Sequence, residues 1–301
     1  MNKQAYLIMA HNDIYILKKL LLLIDNKHND IYLHLDKKMK DVNLRELEEL
    51  VEESNLYFVK RKNVKWSAYS QIECEVALLK ESTKNNKYSY YHLLSGVDLL
   101  LKSSDDVYQF FENKKGTEFV SYMNFDDIDD ELLSRIKYYH FFNGNARHKI
   151  KIVRKMSNIM HQKLISIQKK LKVNRLKHND LVIRKGANWF SITDDLARYI
   201  ISCEDKIKKM FKHTNCADEI FLQTLAYNSK FKNKICLEYG KEHKNAKRHI
   251  DWKRGEPYTY RIDDYHELMN CDEFFARKFS SKIDKEIIDK IYTTLKGNKN
   301  D

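Results

Sequence analysis

Ala5-Tyr-Leu-Ile-Met-Ala10, Ile31-Tyr-Leu-His-Leu35 and Leu56-Tyr-Phe-Val59 are three short apolar runs, and the segments between them, Ile14–Ile24 and 44–52, carry apolar residues at helical spacing. Strand, helix, strand repeated at about 25 residues is the pattern of βαβ units and predicts a mostly parallel sheet. The pattern continues downstream. Ser67 or Ser70 opens a long helix to Glu81, Tyr88–Leu94 reads as a fourth strand, a helix follows from Ser103 or Ser104, and Glu118–Tyr122 reads as a fifth strand. Asp13 or Asn12 suits the N-cap of the first helix, because a short polar side chain there accepts from an unpaired N–H of the first turn.

In such sheets ligands sit beyond the carboxyl ends of the strands. The loops that matter are therefore His11-Asn12, Asp36-Lys37, Arg61–Trp66 and Ser95-Gly96-Val97-Asp98. After Asp126 the pattern turns basic and helical as far as His178. Leu181–Arg184 then reads as a strand, Thr193 as the cap of a helix to Ser202, and 218–226 as one further helix. Arg248–Tyr265 reads as mixed polar loop, with a last helix after Asp284. With neither a linker nor an internal repeat, one α/β domain is expected.

Across 301 residues, 55 Lys and Arg face 43 Asp and Glu, a net charge of +12, and 43% hydrophobic content supports a sizeable core. That content excludes a disordered chain, and 7 Gly with 1 Pro exclude collagen-like and linker-rich architectures. Five widely spaced cysteines without a C-x-x-C pair argue against a disulfide framework or a zinc ribbon and for a reducing compartment. No run approaches the roughly 20 apolar residues of a membrane span. Cations concentrate between Arg135 and Lys185. Such a patch suits nucleic acid, anionic headgroups or a phosphate-bearing substrate, and equally a solvated helix face.

Several chemistries are excluded by absent motifs: the phosphate-binding P-loop, the G-x-G-x-x-G fingerprint, the G-x-S-x-G elbow and H-E-x-x-H. Ala217-Asp218-Glu219 opens a helix whose apolar face includes Phe221 and Leu222. There Glu219 reads either as compensation for the helix dipole or as a general base beside an apolar surface. Arg254, Arg261 and Arg277-Lys278 lie among Trp252, Tyr258, Tyr260 and Phe279, cations suited to a diphosphate. Asp127-Ile-Asp129 is an Asp-x-Asp triplet of the kind that holds a divalent metal, within an acidic run equally able to begin a helix.

Taken in order, eight blocks resemble the core-2/I-branching β-1,6-N-acetylglucosaminyltransferase family, glycosyltransferase family 14, in a bacterial-type short form. They are Ala5–His11, Tyr32–Asp36, Lys65–Ser70, Leu94–Asp98, Gly186–Phe190, Ala217–Glu219, Arg248–Trp252 and Phe275–Phe279. The resemblance implies a GT-A-like fold and inverting, metal-independent transfer from a UDP-sugar, with no further cofactor. GlcNAc is the main donor and xylose the donor of relatives. It implies Glu219 as the base, and Lys278 with Arg261 or Arg254, near the Gly255-Glu-Pro-Tyr258 block, as diphosphate ligands. His11, His34, Asp36, Trp66, Ser67 and Asp98 fall in the blocks on the nucleotide side. Trp189, Asp218 and Trp252 fall where an acceptor is held. The single domain then divides into a nucleotide-binding half (1–125), a basic helical insertion (126–180) and an acceptor and catalytic half (181–301).

Animal members carry an anchor, a stem and disulfides. Their absence here suits a cytoplasmic bacterial enzyme of surface polysaccharide synthesis, peripheral on the inner face of the membrane, with a glycan or lipid-linked acceptor and without nucleic acid. A basic nucleic-acid-binding protein and a catalytically silent, sugar-binding member of the family are the competing readings.

Overall fold

The computed structural model describes residues 2–84, 86–123, 130–177, 180–238 and 242–297. Its first half contains β1 (Gln4–Ala10), α1 (Ile14–Ile24), β2 (Asn29–Leu35), α2 (Leu44–Glu48), β3 (Asn55–Val59), α3 (Ser70–Thr83), β4 (Tyr91–Ser95), β5 (Leu99–Leu100), α4 (Ser104–Asn113) and β6 (Phe119–Val120). The second half contains α5 (Asp130–Lys137), α6 (Lys151–Lys170), β7 (Phe190–Ile192), α7 (Asp194–Ser202), α8 (Glu204–Phe211), α9 (Phe221–Tyr227), α10 (Glu242–Asn245), β8 (Arg248–Ile250), α11 (Tyr265–Asn270), β9 (Phe275–Arg277) and α12 (Glu286–Gly297).

Six strands form the main sheet in the order β3-β2-β1-β4-β7-β6. The first four are parallel, with Leu7 level with Tyr32 and Leu93, while β7 runs antiparallel to both β4 and β6. The period-2 alternation of β1 sends Tyr6, Ile8 and Ala10 to one core and Ala5 and Leu7 to the other. On the first face α1 and α12 pack with Leu17, Leu20, Ile287 and Ile291. On the second, Ile72 and Leu79 of α3 meet Leu196 of α7 and Phe221 of α9. Burial on both faces explains why the strands read as nearly continuous apolar runs.

The expected caps are present: Asp13, Ser103 and Thr193 accept from Ile16, Asp106 and Leu196 N–H. Four details differ from the sequence pattern. The segment 181–184 is not a strand, because Asn228 Oδ1 and Thr224 Oγ1 of the α9 region accept from Val182 and Arg184 N–H in place of a neighbouring strand. The expected helix 218–226 is two pieces, a 3-10 turn Ala217–Glu219 and then α9, broken at Ile220, whose φ of −125° is not helical. Only Phe119–Val120 of the fifth run joins the sheet. Within the expected polar loop, Arg248–Ile250 instead pairs with Phe275–Arg277 in a second sheet, ordered β5-β9-β8.

That small sheet is tied to the large one by Arg248, whose residue is 2% exposed. Its guanidinium donates to the carbonyls of Ala246, Leu93 and Phe190 and to Ser191 Oγ at 2.7–3.3 Å. Arg248→Leu strands these acceptors, and buried unsatisfied groups cost about 1–3 kcal/mol each. A fall in Tm on the order of 10 °C by circular dichroism is expected; a melt within about 2 °C of the parent sinks this account.

Candidate functional site

The chain order reverses between β1 and β4, so the carboxyl ends of these strands mark the switch point where sheets of this kind hold a ligand in a crevice. Gly96 sits in the seam, donating from its N–H to Met9 O, and a Cβ there would lie 2.8 Å from Ala10 Cβ. Just beyond, Asp98 accepts from Ser95 N–H and faces Arg277 Nε at 3.7 Å. The Arg277 guanidinium lies over the Trp189 ring, 4.0 Å from its centroid. The ends of β1 and β9, the loop after β4 and Trp189 just before β7, remote in sequence, thus meet at one place.

His34 and Asp36 are buried and committed to holding loops. His34 Nε2 accepts from Lys62 N–H at 2.9 Å, and burial pushes its imidazole down to about 4, so the ring is neutral. The Asp36 carboxylate accepts from Lys38 and Val64 N–H at 2.8 and 2.9 Å. His11 stands at the end of β1. The surrounding protein and then Arg277 lower its pKa, with Asp36 and Asp98 opposing.

Glu219 ends its 3-10 turn about one-third exposed. Arg135 Nη1 donates to its Oε2 at 3.1 Å and Lys185 Nζ stands 3.8 Å from the same oxygen, so both cations take Oε2. The turn is held from two sides. Gly186 N–H donates to Glu219 O at 3.0 Å, and Cys216 N–H donates to Ser67 O at 3.2 Å. At Gly186 a Cβ would fall 1.9 Å from Ser121 O, which leaves no residue but glycine for that approach.

Beneath the turn, Asp218 accepts from Gln71 Nε2 at 2.7 Å, one helical turn before Glu75 on the same face of α3. Glu75 is fully buried, and the Asn188 side chain, which favours the charged form of its carboxylate, does not offset that burial. Burial, then the Asp218 charge, raises Glu75 well above the usual carboxylate range. Burial, then Glu219, pushes Asp218 up to about 7. Asp218, expected to touch an acceptor, thus lies under the site with its side chain facing α3. Arg135, Lys185, Gln71 and Glu75 were not singled out from the sequence. Glu75 left a signal: it occupies the core-facing row of α3 with Ile72 and Leu79.

The cationic side is built by the chain's C-terminal third. Tyr260 N–H donates to Lys278 O at 3.0 Å, and Lys278 N–H to Tyr258 O at 3.4 Å, which sets residue 261 beside the Lys278 segment. Burial, then Arg277 and Arg147, lowers the Lys278 ammonium. Arg147 stacks on Trp66 at 4.0 Å, so Trp66 and Ser67 connect the cations to the Glu219 turn. Of the two arginines considered for the diphosphate, Arg254 is held by Asp251, Asp264 and Glu267. Arg261 is exposed and makes no salt bridge among the described residues. Trp252 is exposed as well.

Asp127 and Asp129 lie outside the described residues. Among those described, His249, Cys271 and Glu273 bring potential ligand atoms within 4.8 Å of one another. There His249 Nδ1 already meets Tyr260 Oη at 2.7 Å, and Lys244 stands 3.6 Å from Glu273.

Comparison with known proteins gives this arrangement a class. A family model described as Core-2/I-Branching enzyme matches residues 4–271. The chain belongs to that family. It is 22% identical to xylosyltransferase 2 of Rattus norvegicus over 305 aligned positions, covering 95% of this chain and 33% of that protein. It is 31% identical to xylosyltransferase sqv-6 of Caenorhabditis briggsae over 128 positions, covering 36% of this chain and 16% of that protein. The chain therefore spans about a third or less of the length of these relatives. Among solved structures, apo mouse xyloside xylosyltransferase 1 is similar at 9% identity and a TM-score of 0.38, covering 92% of this chain and 97% of that one. Family membership and the helix-flanked, mostly parallel sheet agree with the GT-A-like α/β expectation.

The buried acids give a pH test. An unfolded Asp releases its proton near pH 3.9, whereas folded Asp218 keeps it to about 7. The folded state binds more protons between these values, so this stabilising contribution is full below pH 4 and is lost as pH rises through 7. Asp218→Asn, measured by Tm across pH 4–8, is expected to gain on the parent as pH rises. A constant difference across that range contradicts the assignment.

Proposed function

We propose that the chain is an inverting glycosyltransferase that moves a sugar, most simply GlcNAc, from a UDP-sugar to a hydroxyl of a glycan acceptor in bacterial surface polysaccharide synthesis. The observation that carries this reading is the Glu219 turn. A carboxylate about one-third exposed has Oε2 occupied by Arg135 and Lys185, on a loop joined through Ser67 and Trp66 to the cationic segment.

An in-line displacement at an anomeric carbon requires a base on one face and stabilisation of the leaving group on the other. In this reading Glu219 Oε1 accepts the acceptor hydroxyl's proton as that oxygen bonds to the anomeric carbon. The bond to the UDP oxygen breaks on the opposite face, with its electron pair leaving on the diphosphate. Lys278 and Arg261 offset that charge without a divalent metal; Arg254, neutralised by three carboxylates, has less to offer. Arg277 and Asp98 shape the floor of the crevice, with Trp189 under the Arg277 guanidinium on the acceptor side. His11 closes the nucleotide side, and Trp252 is placed to stack on an acceptor ring. His34 and Asp36 act by fixing the loops around the nucleotide.

The named activities of the relatives favour xylose as a second donor reading. A melting screen with UDP-GlcNAc and UDP-xylose, each with and without EDTA, separates the two. Ligand at 100 times its Kd adds about 2.7 kcal/mol of stability, and one donor is expected to raise Tm in a way that survives EDTA. A shift abolished by EDTA rejects metal independence, and no shift with any nucleotide sugar rejects the donor class. Glu219→Gln is expected to keep the donor-induced shift and lose transfer by roughly 10²–10⁴-fold, read as UDP release with acceptor. Turnover near the parent value removes Glu219 as the base.

A further inference from the structure

Helix α6 is amphipathic in the inverted sense. Its twenty residues meet the body of the protein through Ser157 and Gln168, its only buried residues, and through a ring contact of His161 with His140. Gln168 exchanges two hydrogen bonds with the backbone of Tyr139, at 2.8 and 3.0 Å, and Ser157 Oγ accepts from Asn145 Nδ2 at 3.2 Å. Val153, Leu164 and Ile165 are half-buried, and the other apolar residues face outward. Ile152, Met156, Ile159, Met160, Ile167 and, just past the helix end, Leu171 are each 47–71% exposed. At 100° per residue they form a single stripe along a helix about 30 Å long. Phe141 and Tyr139 extend the exposed apolar surface on the preceding loop.

Lys151, Lys155, Lys163, Lys169 and Lys170 lie within or beside the stripe, and α6 contains no Asp or Glu. A second copy of the chain docked stripe to stripe would set these cations against each other without a compensating acid. Nucleic acid would match the lysines and leave the isoleucines and methionines in water. A surface with anionic groups over an apolar interior matches both features, as for helices that lie in the headgroup plane with apolar side chains below and lysines at the phosphate level. No helix among the described residues is long and apolar enough to cross a membrane, so contact of this kind is peripheral.

We infer that α6 is the membrane-docking element of this protein, seating its apolar stripe in an anionic lipid leaflet. The inference deepens the proposed transfer reaction by placing the chain at the surface where a lipid-linked acceptor resides. It is testable with neither donor nor acceptor present, so its failure leaves that reaction standing.

The experiment is sedimentation of the full chain with phosphatidylcholine vesicles, with and without phosphatidylglycerol, over a salt series. Two variants are compared with the parent: Ile152→Ser/Met156→Ser/Ile159→Ser and Lys155→Glu/Lys163→Glu. Light scattering reports oligomeric state and circular dichroism reports folding. The expected result is binding to the anionic vesicles only, at least tenfold weaker in each folded variant. Unchanged binding by the serine variant, or equal binding to neutral vesicles, overturns the inference. So does a dimer of the parent that the serine variant abolishes, or duplex DNA binding that the serine variant loses in step with vesicle binding. A serine variant that fails to fold overturns it too, since a stripe needed for folding is not a free face.

Discussion

The guanidinium of Arg248 is the contact on which the site's assembly depends. It reaches from the small sheet to carbonyls of β4 and β7, joining strands β8 and β9 of the chain's C-terminal part to the main sheet. β9 runs beside β8, so whatever fixes Arg248 also fixes Arg277 and Lys278 at the end of β9. A charged group at 2% exposure is tolerated because carbonyls and a hydroxyl replace its water shell. The consequence for function is geometric: cations encoded near residue 277 are delivered to a crevice encoded by residues 10–36 and 95–98.

The opposite wall is arranged around acidity. Three carboxyl groups, Glu75, Asp218 and Glu219, stack from the core to the surface, and the balance between burial and cations changes along the stack. Burial dominates at Glu75 and favours its protonated form. Two cations meet Glu219, at the surface. Asp218 lies between, bonded to Gln71. A buried acid that stays protonated avoids the large cost of an unpaired charge in the interior. The arrangement therefore leaves the cation-paired carboxylate of Glu219 at the surface.

A third feature is the contrast between the crevice and α6. Around the crevice, polar side chains are consumed in fixing loops: His34 on Lys62, Asp36 on Val64, Ser67 on Cys216. On α6 two polar side chains, Ser157 and Gln168, are turned inward, while an apolar stripe is left outside. Both cases reverse the ordinary solubility pattern, and both are visible only once the partners of each side chain are known.

The sequence by itself determined the parallel βαβ frame, because a strand buried on both faces must be apolar throughout and the helices between strands must be amphipathic. β1 to β3, α1, α3, α4 and α7 with their Asp13, Ser103 and Thr193 caps, and the order of loops at the strand ends follow from local rules of this kind. The family blocks pointed to Glu219 and Lys278. Tertiary structure alone decided that Leu181–Arg184 is not a strand, since the N–H groups of Val182 and Arg184 are taken by Asn228 and Thr224, 46 and 40 positions away. It also decided that three-residue runs at 248 and 275 pair, because segments so short carry no periodicity and gain their stability from Arg248. Tertiary structure decided, too, that Arg254 is held by Asp251, Asp264 and Glu267 while Arg261 makes no salt bridge among the described residues, and that Arg135 and Lys185 meet Glu219. Two identical guanidinium groups in one loop differ only in which carboxylates stand within 4 Å, and that is a property of the folded chain.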